Sequence, residues 1–137
     1  MLKPYLHRAQ YYETDTMKIV HHSNYIRWME EARCDMLEQM GLGYDKMEEA
    51  GVLSPVLSAE CEYKGMTRFA ETVRIEVKLE SYTGVRFAIS YEMYGEDGTL
   101  RAQGKTSHCF LMNGVPISVK RKFPAWDALF CRYAGQD

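Results

Sequence analysis

The sequence predicts an α+β domain in which a curved antiparallel sheet of five strands wraps one long central helix. Three observations carry the prediction. A helical repeat runs from Asn24 to Met40, period-two alternation fills most of 53–112, and the alternating stretches are separated by turns too short for crossovers.

In chain order, Tyr5 to Tyr12 sets Tyr5, His7, Ala9 and Tyr11 against Leu6, Arg8, Gln10 and Tyr12, a first strand. Ser23 is the expected N-cap of the helix, its hydroxyl accepting from an unpaired first-turn amide. Tyr25, Trp28, Met29, Ala32, Met36, Leu37 and Met40 then recur at helical spacing. Arg27, Glu31, Asp35 and Glu38 fall mainly on the opposite side. Gly41 and Gly43 supply helix-ending positions. At 1.5 Å per residue such a helix is roughly 25 Å long. Residues 43–51 read as a short helical turn and Leu53 to Tyr63 as a strand. Over 71–82, Val73, Ile75, Val77 and Leu79 alternate with Arg74, Glu76, Lys78 and Glu80, a strand with one buried face. After a turn at Thr83-Gly84 the pattern repeats through Val85, Phe87, Ile89, Tyr91 and Met93. A second turn at 96–99 leads into a last long strand from Thr99 to Met112. Wrapping the sheet around the helix buries both apolar faces. The segment 116–137 reads as a short helix or packed tail over 123–135.

A chain of 137 residues suits one domain with one core, and no repeat, low-complexity tract or linker divides 1–137. With 26% charged residues and a net charge of -2, the composition argues against a general nucleic-acid surface, though a local Lys/Arg cluster for a phosphorylated ligand is compatible with it. No apolar run approaches the ~20 residues of a membrane span, and the opening residues lack the apolar core of a signal peptide. Cys34, Cys61, Cys109 and Cys131 have neither zinc nor redox-motif spacing, which reads as reduced thiols in a cytoplasmic protein.

The most unusual stretch is YYETDTMKIVHHSNYIRWMEEAR, residues 11–33, which sets Asp15 in a loop just ahead of His21, His22 and a helix start. It resembles the motif of the hotdog-fold acyl-CoA thioesterases, in the branch of 4-hydroxybenzoyl-CoA thioesterase and the Tol–Pal-associated thioesterases. In that pattern, Tyr-Tyr-x-Thr-Asp is followed by four variable positions, then Val, Tyr/His, His, a small residue, Asn and Tyr. The family's aspartate falls on Asp15, its histidine on His22 and its tyrosine on Tyr11. A weaker likeness covers YKGMTRFAETVRIEV, residues 63–77. The chain departs from the pattern at Lys18, where many relatives carry Gly, and at Met66, where Pro is usual.

The resemblance implies hydrolysis of an acyl-CoA to free acid and CoA, with no cofactor beyond the CoA of the substrate. It further implies a homodimer, often paired again into a homotetramer, with the active site between subunits. Asp15 then either attacks the thioester carbon or activates a water. An aspartate is ordinarily charged at neutral pH, so it needs no partner base. An amide around His22 and Ser23, at the positive end of the helix, is the expected oxyanion donor. His22 has three open roles: orienting Asp15, positioning water, or protonating the leaving thiolate. Ser23 reads as a cap, with a Ser–His nucleophile as the alternative. Tyr25 and Trp28 either pack the helix or touch the acyl chain. Lys18, Lys64, Arg68 and Arg101 are candidates for CoA phosphates or for solvated faces, and His108 reads as structural. Adjacent His21 and His22 point different ways without a third ligand, so no metal is expected. Competing readings are a non-catalytic acyl-CoA-binding protein and a thioesterase acting on acyl-carrier-protein esters; the motif disfavours a hydratase or dehydratase.

Overall fold

The computed structural model describes residues 2–135. Strand β1 (Tyr5–Arg8) leads through a 3-10 turn (Tyr11–Glu13) and a loop into α1 (Ser23–Gln39) and α2 (Tyr44–Glu49). Then come β2 (Val52–Leu53), β3 (Val56–Tyr63), β4 (Thr72–Tyr82), β5 (Arg86–Tyr94) and β6 (Leu100–Cys109). The chain finishes with β7 (Leu111–Met112), β8 (Val115–Pro116), α3 (Val119–Lys122) and α4 (Pro124–Tyr133). Five strands form an antiparallel sheet in the order β1-β4-β5-β6-β3, and β2, β7 and β8 form a small second sheet.

The expected packing follows from the two periodicities. Tyr25, Trp28, Met29, Ala32, Met36 and Leu37 of α1 are buried, and they meet Val73, Ile75, Leu79, Phe87, Ile89, Tyr91 and Met93 of β4 and β5 in one core. Register aligns the inward residues across strands: Ile75 opposite Met93, and Met93 opposite Ala102. At Gly104 of β6 a Cβ would stand 2.6 Å from Met29 Sδ of α1 and 2.7 Å from the Glu60 carbonyl of β3, so only glycine fits. Bulges at Leu79/Ser81 and Val56/Ser58 bend the strands over the helix.

Four expectations about elements are corrected. The first strand ends at Arg8 rather than Tyr12, because the Glu13 carboxylate captures the Gln10 amide at 2.8 Å and turns the chain. Ser23 is not a cap: it begins the helix, and its hydroxyl lies 2.9 Å from His21 Nδ1 instead of on a first-turn amide. The strands expected over 53–63 and 99–112 are each divided. Their outer pieces, β2 and β7, pair with each other beyond Phe110, which is fully buried. The C-terminal segment forms two helices, with Phe130 stacked on Tyr82 and Tyr82 Oη donating to Asp127 at 2.5 Å. Gln136 and Asp137 lie outside the described residues.

Strand β3 differs from its neighbours. It is a sheet edge, and all eight of its residues are exposed or half-exposed, including Val56, Leu57 and Tyr63. All four cysteines are free thiols, and no helix among the described residues is long and apolar enough to cross a membrane.

Candidate active site

The start of α1 is fixed from below by Glu13. This carboxylate is almost fully buried, and donors surround it. His7 Nε2 lies 2.9 Å from Oε1, the Gln10 amide donates to Oε1 at 2.8 Å, and Trp28 Nε1 donates to Oε2 at 2.7 Å. Burial alone would raise its pKa, but the bonds from His7, Gln10 and Trp28 outweigh it and hold the carboxyl below its usual value. The Glu13 carbonyl accepts from the His21 amide at 2.8 Å and from Asn24 Nδ2 at 2.9 Å. One buried residue thereby ties β1, α1 and the loop between them.

Asp15 lies just beyond this anchor. Thr14 bridges to Val20 and the Asp15 amide donates to the Ile19 carbonyl at 2.9 Å, so residues 14–20 fold back as a small hairpin. Its two arms end at Glu13 and His21, so the hairpin that carries Asp15 opens directly onto the start of α1. The Asp15 side chain is half-exposed, and Oδ1 accepts from the Met17 amide at 2.8 Å. The hairpin turns at Lys18, whose φ of 63° is left-handed. That conformation favours glycine, which accounts for the residue many relatives place there. Lys18 itself is exposed. The hairpin rests on 67–68: Ile19 bridges to Arg68, and the Val20 amide donates to the Thr67 carbonyl at 2.8 Å.

His22 caps the helix by position, exposed and without a side-chain capping bond. Among the described residues its amide has no hydrogen-bond partner, whereas the amides of Asn24 and Tyr25 donate to the His21 and His22 carbonyls. His21 Nδ1 accepts from the Ser23 amide at 3.2 Å, so the nearby Ser23 hydroxyl pairs with His21 and not with His22. Tyr63, from edge strand β3, donates to the His22 carbonyl at 3.2 Å and sets its ring edge-on to His22 at 5.9 Å. Tyr11 is exposed and edge-on to Phe69 at 5.7 Å.

The remaining candidates divide. Tyr25 and Trp28 sit in the core, the Tyr25 hydroxyl donating to Thr67 Oγ1 at 3.1 Å and the Trp28 indole bound to Glu13. Lys64 pairs with Glu62 at 3.0 Å, and Arg68 is exposed beside the hairpin. Arg101 is buried and ion-paired with Glu71 and Asp97, and it also donates to the Met66 carbonyl at 2.6 Å. It shapes the 64–71 loop and has no charge to spare for a phosphate. His108 is fully buried: Arg33 Nη1 donates to its Nδ1 at 2.8 Å, and its Nε2 lies 2.8 Å from Thr106 Oγ1. Burial first and the Arg33 charge second push its pKa down to about 3, which keeps it neutral.

Sequence reasoning missed Glu13, His7 and Tyr63. Glu13 carries a faint signal, since an acidic residue between an alternating strand and a helix start is well placed to accept from both. Tyr63 carries none without the strand order.

The thioesterase-like superfamily model matches residues 10–126 of this chain. The Aquifex aeolicus protein named "Putative esterase" is 38% identical over 118 residues, covering 86% of this chain and 91% of its own length. The Bacillus subtilis protein named "Putative acyl-CoA thioesterase YneP" is 34% identical over 124 residues, covering 89% and 90%. Among solved structures, a DHNA-CoA thioesterase from Staphylococcus aureus superposes with a TM-score of 0.91 at 32% identity, covering 95% of this chain and 89% of that one.

Proposed function

This chain belongs to the thioesterase-like superfamily, and we propose that it is an acyl-CoA thioesterase, releasing free acid and CoA. Its sheet and central helix form the hotdog fold that the motif led us to expect. The names of its relatives support a thioester hydrolase, and the motif at 11–33 is similar to that of the 4-hydroxybenzoyl-CoA and Tol–Pal-associated branch.

One observation carries the catalytic reading: a half-exposed carboxylate, Asp15, sits on a hairpin whose base at Glu13 and His21 adjoins a helix start, and among the described residues the His22 amide there is unpartnered. In this reading the thioester carbonyl lies between them. Asp15 attacks the carbonyl carbon or takes a proton from an attacking water, and the oxygen that becomes negative accepts from the His22 amide. The positive end of α1 adds to that stabilisation. Loss of one such donor typically costs 10²–10³ in turnover. The Met17 amide on Oδ1 holds the carboxylate in place. The His22 ring, exposed and leaning on Tyr63, is free to protonate the departing thiolate or hold water. Lys18 at the turn of the hairpin and Arg68 beside it suit the CoA phosphates.

The edge strand supports a dimer. β3 offers an unpaired backbone edge with Val56, Leu57 and Tyr63 exposed along it. Antiparallel pairing with its own copy continues the sheet and sets the Tyr63 end of one strand beside the Val56 end of the other. The active site then lies at the seam between subunits, and two such dimers pair as a tetramer.

Free-thiol release across short, long and aromatic acyl-CoAs tests the reading. Turnover of at least one class is expected; binding of CoA esters without any thiol release would make the protein a ligand-binding member of the superfamily instead.

A further inference from the structure

Tyr63 is the last residue of edge strand β3, and its side chain crosses to the start of α1. Its hydroxyl donates to the His22 carbonyl at 3.2 Å, and among the described residues this is the one hydrogen bond between β3 and the 21–25 segment. The phenol is firmly placed. Its backbone pairs with Ala102 of β6, and the next two amides, Lys64 and Gly65, both donate to the Arg101 carbonyl, at 2.8 and 3.0 Å. Its ring stands edge-on to Tyr25 at 5.4 Å and to His22 at 5.9 Å, and Tyr25 is itself tied to Thr67. Partial burial, with the nearby Cys61 thiol second, pushes the Tyr63 pKa above its ordinary value of 10.0, so the hydroxyl stays a donor through the neutral range.

The bond matters for the group that it holds. Peptides are planar, so the aim of the His22 amide is set by the two peptide planes that meet at the His22 Cα. The 21–22 peptide carries that amide, and its carbonyl accepts from the Asn24 amide at 3.0 Å and from Asn24 Nδ2 at 3.2 Å. The 22–23 peptide is gripped at both ends, its carbonyl by Tyr63 and its Ser23 amide by His21 Nδ1 at 3.2 Å. The Tyr25 amide reaches the same carbonyl at 3.3 Å, a longer bond. Between the two planes His22 keeps φ at -57° and ψ at -28°.

We propose that Tyr63 is a positioning residue for the reaction: its hydroxyl, reaching over from the edge strand, fixes the 22–23 peptide and through it the aim of the His22 amide at the thioester oxygen. The inference rests on the thioesterase reading above and deepens it by adding to the site a residue that acts through another. Outright loss of an oxyanion donor costs about 10²–10³ in turnover. Releasing one of several bonds that aim the donor should cost less, about tenfold.

Tyr63→Phe keeps the ring and removes the hydroxyl. Assayed by thiol release well below its Tm, it should lose about tenfold in kcat while KM stays within about twofold, the mark of an interaction that serves the transition state. The pH profile of kcat should drop as a whole and keep its shape, since a positioning hydroxyl transfers no proton. A second readout needs no turnover. Labelling histidine with ¹⁵N gives one backbone amide signal for each of the four histidines. In Tyr63→Phe the His22 signal should move by more than its line width while those of His7 and His108 stay. An unchanged kcat, a loss confined to KM, disappearance of one limb of the pH profile, or an unmoved His22 amide would each overturn the inference. Absence of thiol release by the parent protein from every acyl-CoA would count against the thioesterase reading instead, and the histidine amides would then decide the inference alone.

Discussion

Glu13 and Asp15 carry the same functional group two residues apart and meet opposite environments. Glu13 is buried and takes bonds from an imidazole, an indole and an amide. Asp15 is half-exposed, and the Met17 amide is the one donor on its carboxylate among the described residues. A buried carboxylate held by three donors and closed off from solvent holds structure together. One that is steadied on a single oxygen keeps the other for a substrate. On the proposed reading the pair divides scaffold from chemistry within three residues of chain, and the hairpin at 14–20 carries Asp15 out from the core that Glu13 anchors.

Substituting the buried member gives the largest effect on stability. Glu13→Ala strands the Trp28 indole, the His7 ring and the Gln10 amide, and removal of one member of such a buried set costs roughly 3–5 kcal/mol. Denaturant unfolding should show this, and activity should fall only with the folded fraction. The seam comes next. Ala59→Arg, which places a charge on exposed edge strand β3, should split the proposed dimer by sedimentation and lower kcat/KM by more than about tenfold, the sort of loss that follows when an interface hot spot goes. An active monomer would detach the site from the seam.

Acid provides a third handle. His108 is held neutral, with its pKa down at about 3 against an ordinary value near 6.5. The unfolded chain therefore takes up the proton first. This contribution to stability is complete above about pH 6.5 and is lost as pH falls toward 3, at up to about 1.4 kcal/mol per pH unit. Glu13, whose pKa is lowered, adds its own loss below its ordinary carboxylate range, as pH falls through the folded value. Unfolding titrations of His108→Gln should lose the upper part of that acid limb and keep the lower. The smallest effect belongs to the hairpin turn. Lys18→Gly relieves a left-handed φ of 63° but frees the unfolded chain, so stability should move by less than about 1 kcal/mol. KM for CoA esters should rise about threefold, as suits one exposed charge; an unchanged KM would remove Lys18 from the phosphate contacts.

How much of this was legible in the sequence depended on which partner each residue has. α1, β4 and β5 were readable because each buries one face on the other, and that writes a clean period into Trp28 to Leu37, Val73 to Leu79 and Phe87 to Met93. β3 was readable as a strand, but its role as the exposed edge was not, since strand order is set by pairing far along the chain. Glu13 was missed because a buried carboxylate and a solvated one are the same letter. Ser23 was misassigned for a related reason: the His21 ring competes for its hydroxyl, and capping rules score only the backbone. Asp15 and His22 came from the motif as a whole, whose spacing encodes the hairpin that composition alone does not reveal. Arg101 looked like a free basic residue until Glu71 and Asp97 were seen to hold it.

The most direct measurement pairs thiol release with thermal unfolding in Asp15→Asn. The substitution keeps the size of the side chain and the bond from Met17 while removing the charge. The account predicts a loss of about 10³ or more in kcat, at the scale of a lost nucleophile or general base, with Tm within a degree or two of the parent protein. Full hydrolysis by Asp15→Asn would contradict it, and so would a loss of activity that merely followed unfolding.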